Sequence, residues 1–462
     1  MSRYTSTTPE DLAAMLEAIG VGSLDELFDR QVPAGVRLGR ALDLPAGLPE
    51  QEVYTHLRDL AARNVSAEDE VSFLGGGMYD HYVPAVVDML MERSEFLTPY
   101  TPYQPEVSQG GLQVMFEYQT AISELTGLPV SNASVYEGPS AVAAAAYLAK
   151  LANGKGRIVV SRAVNPHSRE TLATMAAGFG SEVVEVGLSD GATDAGAWAD
   201  AIDPDTSAVV FQTPNHLGAV EDAAALARAA KDSPAVVIGS YDPIPLGILK
   251  PPGECGVDVA VGEGQPLGNR LDFGGPSFGF FAATDAYLRR MPGRIAGETR
   301  DVDGRRGFVL TLQTREQHIR REKATSNICT AQALNALAGV VYLSWLGRQG
   351  IAELGELLLQ RTHYARERLT ALDGVQALHT RPVVREFAVR LGAPVDAVIE
   401  RCAAQGVAAG VPLGRDYPEF EDGLLVAVTE RRSRADIDRL ADVVGAAVAA
   451  ERGGRVPAGV AR

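Results

Sequence analysis

Three stretches of this sequence carry residues that could do chemistry. Asp80 and His81 are adjacent in the segment Phe73–Tyr82, FLGGGMYDHY, and could act as a paired acid and base. Imidazole changes charge near neutral pH, yet a hydrogen-bonded structural histidine accounts for the pair equally well. The segment Tyr100–Gly110, YTPYQPEVSQG, is too polar and too rigid for a core strand. Tyr100, Tyr103, Gln104, Glu106 and Ser108 offer hydrogen bonds there, either to a bound molecule or across a structural interface. The charged run Arg315–Lys323 has the spacing of a salt-bridged helix face. It continues into Ala324, Thr325, Ser326 and Asn327, whose hydroxyl and amide groups suit a phosphate. Amine nucleophiles are scarce: only Lys150, Lys155, Lys231, Lys250 and Lys323 could form a Schiff base. Lys250 lies in the rigid loop Leu249–Gly253, LKPPG, where a solvated charge is the ordinary outcome.

The elements that must position these groups follow from periodicity. Thr8, Pro9, Glu10 and Asp11 start a helix that ends at Gly20, Ser23 caps a second, and residues 50–63 form a third. Residues 1–70 are therefore expected to be a helical arm. Within residues 71–305, the apolar runs 157–161, 182–186, 208–212, 235–239, 257–261 and 278–282 alternate with helical segments. That pattern predicts an α/β architecture with a mostly parallel sheet covered on both faces. Residues 306–372 are expected to be a long helical connection and 373–452 a small α+β domain. The Gly/Pro/Arg-rich end, 453–462, is expected to be a disordered tail. The glycines of Gly262–Gly268 superficially suggest a dinucleotide loop. Their spacing is one residue too long, and Pro266 leaves no following helix to hold a pyrophosphate.

Composition narrows the class. With 42 Lys and Arg against 59 Asp and Glu, the net charge is 42 − 59 = −17, which argues against nucleic acid or an anionic membrane as partner. A hydrophobic content of 46% with 22% charged residues is that of a folded globular chain. The N-terminus has no secretory pattern, and no apolar run reaches the ~18 residues of a membrane span. Cys255, Cys329 and Cys402 form no CxxC pair, so neither a disulfide framework nor a metal site is expected. A reduced, cytoplasmic setting fits best.

The sheet pattern resembles the pyridoxal-phosphate enzymes of the aminotransferase-like fold (type I). In that family an aspartate at one strand end pairs with the pyridine nitrogen, and a lysine at the next strand end holds the cofactor as a Schiff base. Asp242 matches the first position, and Gln265 stands where the lysine is expected. The loop Ser134–Ser140, SVYEGPS, opens the helix whose N-terminus would hold the phosphate, so Ser134, Tyr136 and Asp242 would outline a vestigial cofactor pocket. More specifically, the segments Phe73–Tyr82, Tyr100–Gly110, Leu249–Gly253 and Gly307–Thr330 resemble the alpha subunit of the two-chain glycine decarboxylase, the P-protein of the glycine cleavage system. The resemblance runs from about Tyr4 to Ala450.

What the resemblance implies is a chain that does not itself hold pyridoxal phosphate covalently. A homologous beta subunit would carry it on its own lysine. Together, as a heterodimer or a dimer of heterodimers, the two would decarboxylate glycine and pass the aminomethyl group to the lipoyl arm of H-protein. Tyr100, Tyr103, Gln104, Glu106, Ser108, Asp80 and His81 would line the shared site or the interface. Thr325, Ser326 or Asn327 would reach the partner's cofactor phosphate. Glu137, Pro139, His216, Pro243 and Pro245 depart from the family pattern, which leaves open a paralogue acting on another glycine-like amino acid in a specialised pathway. Two further alternatives are an independent enzyme using Lys250 or Lys323, and a scaffold that docks H-protein.

Overall fold

The computed structural model describes residues 6–99, 101–329 and 331–453. Tyr100 and most of the tail expected to be disordered lie outside them. The chain divides into two compact units, residues 1–65 and 66–462.

In the first unit, α1 (Pro9–Ile19) carries a capping box: Thr8 accepts from the Asp11 amide, and the Asp11 side chain accepts from the Thr8 amide. Gly20, at φ +78°, closes the helix in the left-handed region that an L side chain disfavours. Ser23 caps α2 (Leu24–Gln31), and α3 (Glu50–Ala61) follows. None of the three helices buries a residue.

The second unit is built on a seven-stranded sheet. Its strands are β1 (Val130–Ser131), β2 (Arg157–Ser161), β3 (Glu182–Val186), β4 (Thr206–Thr213), β5 (Val236–Tyr241), β6 (Val259–Glu263) and β7 (Gly279–Ala283), in the order β1-β7-β6-β5-β4-β2-β3. Strands β3, β2, β4, β5 and β6 run parallel, while β7 is antiparallel to both β6 and β1. Burial on both faces explains the continuous β-branched runs. Val159, Val209, Val237 and Phe280 pack on one side, Ile158, Val160, Ile238 and Phe281 on the other. Helices α4 (Gln109–Thr126), α5 (Gly138–Asn153) and α6 (Pro166–Phe179) belong to this layer structure. The alanines of α5 are buried, and a Cβ on Gly138 would sit 3.0 Å from the Glu263 amide nitrogen, so the helix start lies directly on the end of β6.

The long helical connection expected from residue 306 is corrected by the structure. Arg306–Leu310 is a strand paired antiparallel with Ala296–Arg300, and residues 313–323 are short helical turns. Positive φ at Leu312 and Arg321 breaks any continuous helix there. The long helix, α7 (Ala333–Thr370), begins only at Ala333 and is interrupted at Gly347. Beyond it lies a four-stranded antiparallel sheet of β8 (Gln376–Ala377), β9 (Glu386–Arg390), β10 (Val411–Pro412) and β11 (Gly423–Ala427), in the order β8-β9-β11-β10. Helices α8 (Val395–Ala403) and α9 (Arg434–Gly453) share a core with it. No helix of the described residues is long and apolar enough to cross a membrane.

Candidate functional site

Parallel strands present their carboxyl ends to a common crevice, where α/β folds bind ligands. Here a cavity of about 410 Å³ opens over the ends of β4, β5 and β6, lined by Gly76, Tyr79, Asn165, Asp242, Glu263 and Arg385 among others. No lysine is among its lining residues.

Asp242, directly after β5, is ion-paired with Arg385, the residue that precedes β9. The Arg385 guanidinium is buried and lies over the Tyr79 ring, 3.2 Å from its centroid, in a cation–π stack. It also contacts His81 Nε2 at 2.6 Å, while His81 Nδ1 lies 2.6 Å from Glu430 Oε2. A guanidinium can only donate, so His81 accepts at Nε2 and donates from Nδ1 to the carboxylate. The Tyr79 hydroxyl donates to Glu386 Oε2 at 2.6 Å, and the Gly76 amide donates to Glu386 Oε1 at 2.7 Å. Burial is the main influence that raises the Glu386 carboxyl above its ordinary value. Asp80 and His81, adjacent in sequence, do not act on each other. The Asp80 carboxylate is held by Arg431 and, at 2.9 Å, by Arg432.

Gln265 is wholly buried just past the end of β6. Its Oε1 accepts from the Tyr79 amide at 2.9 Å, and its Nε2 donates to the carbonyls of Tyr79 at 3.0 Å and Asn269 at 2.9 Å. Only a side chain that both accepts and donates satisfies these groups; an ammonium would leave the Tyr79 amide unpaired. At the start of α5, Glu263 Oε2 accepts from the Gly138 amide at 2.9 Å and Glu137 Oε1 from the Ser140 amide at 3.0 Å. Of the expected pocket residues, Asp242 lines this cavity. Ser134 is buried at φ +117° with no partner for its hydroxyl, and Tyr136 lines a different cavity.

A second cluster forms around Arg294. This buried arginine pairs with Glu316, donates to the Tyr103 hydroxyl at 2.5 Å, and lies 5.0 Å from the Tyr103 ring centroid. His318 packs edge-on against Tyr103 with centroids 5.4 Å apart. Arg315 is buried too, donating to the carbonyls of Met291 at 2.5 Å and Gly293 at 2.6 Å. Burial and the nearby Arg294 charge push its pKa down to about 10. The charged run is therefore not one solvated helix face: its first two members fill internal needs, while residues 317–323 are exposed in two short helical turns. Thr325, Ser326 and Asn327 line a cavity of about 520 Å³ with Tyr136, Tyr147 and Phe179. Gln104 and Glu106 are exposed, and Ser108 is partly buried. The structure thus brings Tyr103 to the 315–318 segment, and His81 to Asp242 through Arg385. Lys250 and Lys323 line neither the Asp242 cavity nor the Tyr136 cavity. Arg385, Glu386, Glu430 and Glu263 were not apparent from the sequence, since no local pattern marks them.

The family described as glycine cleavage system P-protein matches residues 2–444. A chain named "Probable glycine dehydrogenase (decarboxylating) subunit 1" from Geotalea daltonii is 48% identical over 445 residues, covering 96% of this chain and 100% of the relative. Its counterpart from Moorella thermoacetica is 50% identical over 437 residues, covering 95% and 98%. Among solved structures, glycine decarboxylase (P-protein) of the glycine cleavage system in an inhibitor-bound form matches with a TM-score of 0.88 and 42% identity, over 96% of this chain and 100% of that one. The cysteine desulfurase CsdA of Escherichia coli shares the fold alone, with a TM-score of 0.62 and 15% identity over 84% and 96% of the two chains. The chain therefore belongs to the glycine cleavage system P-protein family, as an enzyme subunit of the subunit 1 type.

Proposed function

We propose that this chain is the subunit of a two-chain glycine decarboxylase that does not bear the cofactor. A partner chain holds pyridoxal phosphate on its own lysine. Together the two decarboxylate glycine and transfer the aminomethyl group to the lipoyl arm of H-protein, in the cytoplasm. The observation that carries this reading is Gln265. The position where a Schiff-base lysine belongs is filled by a buried amide bonded to Tyr79 and Asn269.

The chain's contribution is to build one wall of a shared site. Tyr103 is fixed by Arg294, while Gln104, Glu106 and Ser108 follow it in an accessible loop. Tyr100 belongs to the same segment. Thr325, Ser326 and Asn327 offer hydroxyl and amide groups to the partner's cofactor phosphate, an arrangement supported by their place on the rim of an open cavity. Asp80 and His81 act from behind, holding the 73–82 loop to Arg431, Arg432 and Glu430.

Reconstitution tests the proposal. Glycine-dependent bicarbonate exchange should require this chain and the partner together. An aldimine absorbance on this chain alone, trapped by borohydride on one of its five lysines, would overturn it.

A further inference from the structure

The pocket over β5 and β6 does not fit pyridoxal phosphate, and the missing lysine is the smaller part of the misfit. A helix N-terminus binds phosphate through the unpaired amides of its first turn. In α5 none of the first three positions has one free. The Gly138 amide is taken by the Glu263 carboxylate at 2.9 Å, Pro139 has no N–H, and the Ser140 amide is taken by the Glu137 carboxylate at 3.0 Å. The Ser140 hydroxyl is also engaged, donating to the Glu137 carbonyl at 3.2 Å.

These carboxylates do more than occupy donors. Both line the cavity, so an entering phosphate dianion would meet negative charge where the fold ordinarily offers positive dipole. Their mutual influence is visible at Glu263: burial is the largest cause raising its carboxyl above the ordinary value, and the Glu137 charge adds to it. At the far side, Arg385 already neutralises Asp242 and covers the Tyr79 ring.

We propose that Glu137 and Glu263 exclude phosphate-bearing ligands from this chain's own pocket, so that restoring a lysine at position 265 does not by itself restore cofactor uptake. The inference needs the fold but not the partner, and its test uses the chain alone. Its outcome is therefore separate from that of the reconstitution.

The experiment compares the unsubstituted chain with Gln265→Lys and with the double variant Glu137→Gly, Glu263→Ser, each checked for fold by circular dichroism. Gln265→Lys incubated with pyridoxal phosphate should give no borohydride-trapped adduct at residue 265; such an adduct overturns the proposal. The folded double variant should bind inorganic phosphate, read by calorimetry, at least about tenfold more tightly than the unsubstituted chain, equivalent to ~1.4 kcal/mol. A folded double variant with no gain overturns it equally. If that variant does not fold, Glu137→Gly decides, since glycine is tolerated at an N-cap and frees the Ser140 amide. Any gain in phosphate affinity supports the proposal, and none overturns it.

Discussion

Arg385 lies between Tyr79 and Asp242, its guanidinium 3.2 Å from the centre of the tyrosine ring and ion-paired with the carboxylate. The three residues come from the 73–82 loop, the end of β5 and the start of β9. One cation thus joins the large sheet to the small one.

Removing either charge alone should be costly. Breaking a buried pair leaves the other charge unpaired, at about 3–5 kcal/mol. Asp242→Asn and Arg385→Met should each lower the denaturation midpoint in urea. The double change Asp242→Leu with Arg385→Met should cost less than the two single costs summed. Single losses below ~1 kcal/mol would refute the assignment of this pair as the joint between the sheets.

Gln265→Leu keeps the volume and deletes both hydrogen-bonding ends. It leaves the Tyr79 amide and the carbonyls of Tyr79 and Asn269 without that partner, each costing about 1–3 kcal/mol if unsatisfied. Limited proteolysis should then cut within the 73–82 loop much faster than in the unsubstituted chain. An unchanged cleavage pattern would show that Gln265 does not hold the loop.

Acid should destabilise the chain through His216. This side chain is buried, stacked on Tyr417 with centroids 6.0 Å apart, and burial, then Arg169 and His167, lower its pKa from 6.5 to about 3. Its folded-state pKa is depressed, so the unfolded chain binds the proton first. The stabilising contribution is complete above about pH 6.5 and is lost as pH falls toward 3, at up to ~1.4 kcal/mol per unit. His216→Phe keeps a ring against Tyr417 and should flatten the acid side of the melting-temperature profile by about one proton. A profile unchanged in slope would sink this account.

Ser326→Ala and Asn327→Ala probe the proposed shared site. In the reconstituted complex each should weaken pyridoxal phosphate retention and lower turnover by about tenfold, the loss of one hydrogen bond to a charged group at ~1.5 kcal/mol. The melting temperature of the isolated chain should stay within a degree or two. Full activity and full cofactor retention in the double variant would remove these residues from the site.

Local signals were legible in the sequence. The helix start at Thr8, the glycine at position 20 and the β-branched strands each rest on neighbours within a few residues, and the structure repeats them closely. The place of Gln265 just past a strand end was legible for the same reason. The partners of that site were not. His81 meets Arg385 across 304 positions of chain and Glu430 across 349, and no periodicity reports such a meeting. The run from Arg315 to Lys323 misled because charge spacing suits a helix face equally well. Arg315 instead answers the carbonyls of Met291 and Gly293, and Glu316 the charge of Arg294.

The interlocking of these bonds has a consequence for sequence drift. Replacing Gln265 strands the Tyr79 amide, replacing Glu263 strands the Gly138 amide, and replacing Arg385 strands Asp242. Each of these single replacements leaves a buried group without its partner before any second change could compensate. The pocket therefore behaves as a ratchet: folding ties each of these positions to its present residue.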